Sequence, residues 1–125
     1  MTLRMWSAGS ALSLMLAAST PAFAAPADVA KGATFFKQRC MMCHVTAKGA
    51  KATIGPNLSG LKGSVSGTGG YAFSTALKKA AIKWDAPVLD KFLKAPSKMV
   101  PGTRMITAVP NDADRASIIS YLMTL

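Results

Sequence analysis

Two cysteines and the chain's one histidine stand together in the segment Cys40-Met41-Met42-Cys43-His44. Residues three apart share one side of a helical turn, so both thiols can face the same group. C-x-x-C-H is the attachment signature of c-type haem. In such a site, the thiols form thioethers with the haem vinyl groups and the histidine offers a ring nitrogen to the iron. We therefore predict one haem c, bound covalently through Cys40 and Cys43, with His44 as an iron ligand.

Other interpretations of this motif are open but less favoured. A structural zinc site needs four nitrogen or sulfur ligands, and the chain has 2 Cys and 1 His. A dithiol redox pair would need a βαβ context, and the surrounding sequence shows none. A coincidental match is the third alternative. The number of available ligands favours haem attachment.

The N-terminal segment has the three parts of a secretory signal peptide. Arg4 provides the positive charge, residues 12–18 form a short apolar core, and Ala22-Phe23-Ala24 forms a cleavage site. We predict that residues 1–24 are removed by cleavage after Ala24 and that the protein is periplasmic. The alternative is a retained membrane anchor. It is disfavoured because the apolar core is far shorter than the ~20 residues that a spanning helix needs.

Residues 25–125 are predicted to form one small domain with a strongly positive charge. The chain has 15 Lys and Arg against 5 acidic residues, a formal net charge of +10. Nucleic acid is one class of partner for such a protein, but the export signal argues against it. We therefore expect acidic protein partners, which the positive field would attract at low salt. We expect neither nucleic-acid binding nor stable membrane insertion.

Capping residues and apolar spacing predict four helices and no convincing strand. The helices are expected after Asp28 (to about Arg39), after Ser74 (to about Ile82), after Asp85 (ending at Pro96) and after Asn111. The intervening stretches, Lys48 to about Gly70 and Ser97 to Pro110, are predicted as loops.

The chain resembles class I c-type cytochromes in a series of short blocks after the Cys-His motif. The blocks are Gly55-Pro56-Asn57-Leu58, Gly70-Tyr71, Trp84-Asp85, Phe92-Leu93 with Pro96, Pro101-Gly102-Thr103-Arg104-Met105, and Arg115 with Ile118-Ile119-Ser120-Tyr121-Leu122. They follow that family's order and approximate spacing over essentially all of the chain after residue 24. The resemblance implies an all-α fold of about four to five short helices around one covalently bound haem. It also implies an electron-transfer protein rather than an enzyme.

The resemblance implies that Met105 is the second axial ligand of the iron. The loop from Pro101 to Met105 matches the family's ligand loop, and the chain has no second histidine. Met99 is the competing methionine in the same loop, where it is expected to fill the core instead. His/Met ligation raises the reduction potential relative to two histidines. Because both axial positions would be filled, we expect single-electron Fe(II)/Fe(III) transfer. A haem peroxidase is the alternative if Met105 is not a ligand.

The resemblance also implies supporting roles around the haem. The Pro56 carbonyl is expected to accept a hydrogen bond from the His44 ring, and Trp84 and Thr103 are expected to donate to haem propionates. For Trp84, plain core packing is an equal alternative. Gly32 is expected to allow the first and last helices to approach closely. Four positions, Ser64, Phe73, Leu77 and Phe92, replace polar or charged residues that the family usually has near the haem.

The resemblance implies a soluble monomer whose partners are acidic redox proteins. They include a bc-type quinol-oxidising complex, a terminal oxidase and a photosynthetic reaction centre. A dedicated role as the electron acceptor of one periplasmic dehydrogenase is a second interpretation.

Overall fold

The computed structural model describes residues 28–125, which form five helices. They are α1 (Val29–Arg39), α2 (Thr75–Ala80), α3 (Ala86–Lys94), α4 (Pro96–Met99) and α5 (Asp112–Leu122). The strand-like pairing within residues 28–125 is limited to an isolated antiparallel bridge between Val65 and Lys83. The predicted all-α class is confirmed. The predicted signal peptide, residues 1–24 with its cleavage site after Ala24, lies outside the described residues.

Side-chain caps determine where four of the helices begin. The side chains of Asp28, Ser74, Asp85 and Asn111 each accept a hydrogen bond from the backbone N–H three residues later, in α1, α2, α3 and α5 respectively. Each cap satisfies one of the N–H groups that the first turn of a helix leaves without a partner. The predicted starts of these helices are therefore confirmed.

The end of α2 differs from its prediction by two residues. The helix ends at Ala80 rather than near Ile82, because Ala81 adopts a left-handed conformation with φ of 45°. Beyond it, Ile82 pairs with a loop: its N–H donates to Ser66 Oγ at 2.8 Å, and its carbonyl accepts from the Ser66 N–H at 2.8 Å. A tertiary pairing thus replaces the last half-turn.

The short helix α4 occupies residues that were predicted as loop, so that prediction is wrong for residues 97–99. Pro96 begins α4, where a missing N–H is harmless and the fixed φ of proline suits a helix. The N–H of Val100 donates to the Pro96 carbonyl at 2.8 Å and closes the turn. A helix of four residues is too short for apolar periodicity to reveal it.

Helices α1 and α5 cross in direct backbone contact at Gly32. A Cβ atom on Gly32 would lie 2.0 Å from the carbonyl oxygen of Ser117, so the crossing requires glycine. One turn later, the rings of Phe36 and Tyr121 pack with their centroids 5.4 Å apart. The close approach expected for Gly32 is therefore present.

The core lies where α1, α3 and α5 meet, and Phe36 and Ile118 are its most deeply buried large side chains. No helix within residues 28–125 combines the length and the apolar composition that crossing a membrane requires.

Candidate haem site

A cavity of about 560 Å³ opens from this core. Cofactor pockets usually measure roughly 300–1,000 Å³. Its wall is mainly apolar and includes the buried side chains of Phe36, Trp84, Leu89, Phe92, Leu93, Ile118 and Leu122. The core and the cavity therefore share one apolar surface.

The turn after α1 brings Cys40, Cys43 and His44 to this cavity. The backbone N–H groups of Cys43 and His44 both donate to the Cys40 carbonyl, at 3.0 and 2.9 Å, so the turn expected from their spacing is formed. Both cysteines are free thiols. Burial raises the pKa of the Cys40 thiol to about 11, while the nearby Arg39 charge lowers it by less. The thiol is therefore protonated near neutral pH, which does not suit a reactive redox dithiol.

A zinc site also finds no support in the arrangement of side chains. Within residues 28–125, no three His, Cys, Asp or Glu side chains are grouped so that they could hold a metal ion.

His44 is held with one ring nitrogen occupied and the other available. Nδ1 lies 2.9 Å from the Pro56 carbonyl oxygen, and we assign the ring proton to Nδ1 because a carbonyl can only accept. The lone pair of Nε2 is then free for a metal. Burial lowers the pKa of His44, and the bond to Pro56 opposes this shift less strongly. Gly55 packs against the ring, because a Cβ there would lie 2.6 Å from His44 Cε1.

Met105 is the one methionine of residues 28–125 that lines the same cavity as His44. It is half-buried, and its backbone N–H donates to Thr103 Oγ1 at 3.3 Å. Met99 packs against the core instead, and Met41 and Met42 are exposed. The structure therefore brings together His44 and Met105, the two residues that the resemblance implies as axial ligands.

The two predicted propionate donors occupy different environments. Trp84 lines the cavity and packs edge-on against Phe92, with ring centroids 5.0 Å apart. Its indole N–H donates no hydrogen bond to residues 28–125. In this part of the chain, no fully buried side-chain nitrogen or oxygen lacks a hydrogen-bond partner, so the indole nitrogen is not fully buried. The N–H is therefore accessible and remains available to donate. Thr103 is buried but is not among the residues that line the cavity.

Ser74 and Arg104 are among the residues outside the predicted site that also line the cavity. Ser74 was predicted only as a helix cap; its Oγ accepts from the Leu77 N–H at 3.2 Å, and its hydroxyl hydrogen remains free to donate. Arg104 donates to the Ala72 carbonyl. This bond connects residues 101–110, which we call the Met105 segment, to the loop of residues 71–73. The signal in the sequence was their position beside recognised elements, since Ser74 precedes α2 and Arg104 precedes Met105.

The four departures from the family pattern, Ser64, Phe73, Leu77 and Phe92, all lie in the cavity wall. The Ser64 hydroxyl donates to the Leu61 carbonyl at 2.7 Å, so it is already occupied and cannot take the place of a charged donor. This wall is therefore less polar than the resemblance alone would imply.

These side chains fit a c-type haem. Two thiols lie at the cavity with an imidazole whose Nε2 is free, a thioether lines the same space, and the rest of the wall is mainly apolar.

Comparisons with known proteins also indicate a c-type haem. The family described as cytochrome c matches residues 29–125. Cytochrome c of Chlamydomonas reinhardtii is 44% identical over 106 residues, which cover 83% of this chain and 95% of the relative. Cytochrome c of Euglena viridis is 46% identical over 100 residues, with 78% and 97% covered, and that of Gossypium barbadense is 42% identical over 101 residues, with 79% and 91% covered. The chain belongs to the cytochrome c family and is a monohaem electron carrier with covalently bound haem c, rather than an enzyme.

Proposed function

We propose that this carrier transfers single electrons with His44 and Met105 as the axial ligands of its haem iron. The observation that carries the proposal is that both side chains line one cavity, with Nε2 of His44 free and no competing methionine of residues 28–125 in the wall. When bound, the haem supplies an iron that alternates between Fe(II) and Fe(III).

The surrounding residues adapt the site to electron transfer rather than to chemistry on a substrate. Cys40 and Cys43 hold the cofactor, and Pro56 fixes the His44 tautomer and increases the basicity of the imidazole. The apolar wall excludes water and disfavours the more positive oxidised form. Met105 as the second ligand leaves no open coordination position and raises the potential. A haem peroxidase, the second candidate, would need that position open.

The absorption spectrum of the oxidised protein tests the ligation. We expect a Met–iron charge-transfer band near the red end in the wild type, its loss in Met105→Leu, and its retention in the matched control Met99→Leu. A wild-type protein without this band that turns over peroxide would support the peroxidase instead.

The charge distribution supports acidic redox proteins as partners. All five acidic residues are aspartates, and none lies between Val29 and Trp84, the part of the chain that carries Cys40, Cys43 and His44. A field of one sign speeds encounter with an acidic surface and weakens as salt is added. We propose a bc-type complex, a terminal oxidase, a reaction centre or a periplasmic dehydrogenase as donor and acceptor. An electron-transfer rate that does not fall with ionic strength would contradict electrostatic docking.

We further propose that residues 1–24 direct export to the periplasm and that residues 25–125 form the mature domain. The support is the charge, apolar core and Ala-x-Ala pattern of the N-terminal segment. The relatives named above are eukaryotic, so they do not bear on a periplasmic location. Intact-mass measurement of protein from the periplasmic fraction should give a chain that begins at Ala25. A mature chain that retains residues 1–24 in the membrane fraction would favour the anchor.

A further inference from the structure

Arg115 is a charged residue of α5 that is almost completely buried. Its side chain is only 4% exposed, and arginine is rarely buried unless its charge is paired. All three guanidinium nitrogens donate hydrogen bonds.

The contacts of Arg115 divide into a solvated set and an interior set. Nε and Nη2 donate at 2.6 Å to the carboxylates of Asp90 in α3 and Asp112 in α5, which are 48% and 82% exposed. Nη1 donates to the backbone carbonyls of Val109 and Pro110, both at 3.1 Å. Water can solvate the two carboxylates if the arginine is lost, but it cannot easily reach the buried bond to Val109.

Val109 and Pro110 end the segment that carries Met105. Val109 is buried, and its N–H donates to the Leu93 carbonyl at 2.7 Å. Residues 106–108 make no hydrogen bond to the rest of the described chain, and Ile106 is 81% exposed. On the C-terminal side of Met105, the segment is therefore first fixed at residues 109 and 110.

We infer that Arg115 is a positioning residue for the axial ligand, because its bonds to the Val109 and Pro110 carbonyls keep the Met105 segment closed over the haem. This inference rests on the proposed ligation by Met105. Without the guanidinium, a buried carbonyl loses its partner in the closed state and recovers one in water when the segment opens. We expect the open population to rise about tenfold, which is about 1.4 kcal/mol.

Imidazole binding to the oxidised holoprotein measures this opening. Imidazole can replace Met105 only when the segment is open, so its apparent affinity follows the open fraction. We expect it to bind about tenfold more tightly to Arg115→Met and Arg115→Lys, followed by loss of the Met–iron band. Lysine keeps the charge, but one ammonium cannot reproduce the planar fork that spans both sets of contacts.

Two controls separate positioning from general stabilisation. The double variant Asp90→Asn with Asp112→Asn removes both ion pairs and keeps the carbonyl bonds, so its imidazole affinity should stay within about twofold of wild type. Gly49→Ala strains a residue with φ of +78° that does not line the cavity, so it should leave the affinity unchanged despite lower stability.

Wild-type affinity in both arginine variants would overturn the inference, and so would an equal gain in the double aspartate variant. If Arg115→Met does not fold with haem, Arg115→Lys alone decides. Met105→Leu shows whether the proposed ligation by Met105 has failed instead. If wild type and Met105→Leu bind imidazole alike and neither shows the Met–iron band, the ligation itself is wrong, and the inference falls with it.

Discussion

The contact between Gly55 and the His44 ring offers a direct test of the candidate site. Gly55→Ala would place a Cβ atom 2.6 Å from Cε1 and 2.8 Å from Nδ1 of the imidazole. The backbone of Gly55 is not in the left-handed region, so alanine can adopt its conformation. The closest overlap is with the ring, and the Cβ would also lie 3.0 Å from the Cys43 carbonyl oxygen. Gly49→Ala is the matched control, because its Cβ would meet no atom within 4 Å and Gly49 does not line the cavity.

The size of the effect follows from this overlap. Carbon atoms pack favourably at about 3.5 Å or more, so the ring must move by about 0.9 Å. Such a shift weakens the 2.9 Å bond between Nδ1 and the Pro56 carbonyl. A hydrogen bond of this kind contributes about 0.5–1.5 kcal/mol, which is roughly 20–65 mV for a one-electron couple. The reduction potential should rise, because a less basic imidazole stabilises Fe(III) less well.

Spectroelectrochemical titration of wild type, Gly55→Ala and Gly49→Ala measures this shift. Gly49→Ala strains a residue with φ of +78°, which costs about 1–2 kcal/mol of stability, but it should leave the potential unchanged. An unchanged potential in Gly55→Ala would refute the reasoning, as would an equal rise in Gly49→Ala.

Three further changes test other parts of the structure. Gly32→Ala should lower the free energy of unfolding by about 2 kcal/mol in urea titration. Overpacking against the backbone costs up to about 3 kcal/mol, whereas the better helix propensity of alanine contributes only about 1 kcal/mol. Unchanged stability would mean that the helices can separate at no cost. Trp84→Phe keeps an aromatic ring but removes the indole N–H, so it should raise the pH at which the reduction potential responds to propionate titration; an identical pH profile would favour plain packing. The hydrogen bond from Arg115 lowers the pKa of Asp112, so this carboxylate stabilises the fold above its unfolded pKa of about 3.9, and the contribution is lost as pH falls through the lower folded pKa. Asp112→Asn should therefore flatten the dependence of the urea midpoint on pH in the acid range, and an unchanged slope would contradict the pairing.

Features that depend on local chemistry were predictable from the sequence. Asp85 and Asn111 accept from backbone N–H groups three residues ahead, so nearby residues alone determine these helix starts. The turn through Cys40 and His44 is equally local. The end of α2 was not predictable, because it depends on pairing between Ile82 and Ser66, which is distant in the sequence.

The direction of a side chain relative to the cavity was also not predictable. Thr103 and Ser74 are both hydroxyl residues in or beside loops, and only Ser74 lines the cavity. The packing of α2 and of the segment before Met105 decides this difference, and neither residue reveals it in the sequence. Met105 and Met99 show the same limit, since family resemblance distinguished them and composition could not.

The crossing of α1 and α5 has a consequence for the order in which the protein assembles. These are the first and last helices of the described chain, and Gly32 and Ser117 close a loop of roughly 85 residues when they meet. The entropic cost of closing a loop grows with its length, and contacts between distant residues slow folding. Ile118 and Leu122 supply part of the cavity wall from the end of the chain, so an emerging polypeptide cannot enclose a cofactor until its last helix arrives. Cys40 and Cys43 follow α1 directly, so haem could be attached there before α5 completes the cavity wall. The cofactor would then be an apolar surface on which α1 and α5 could pack.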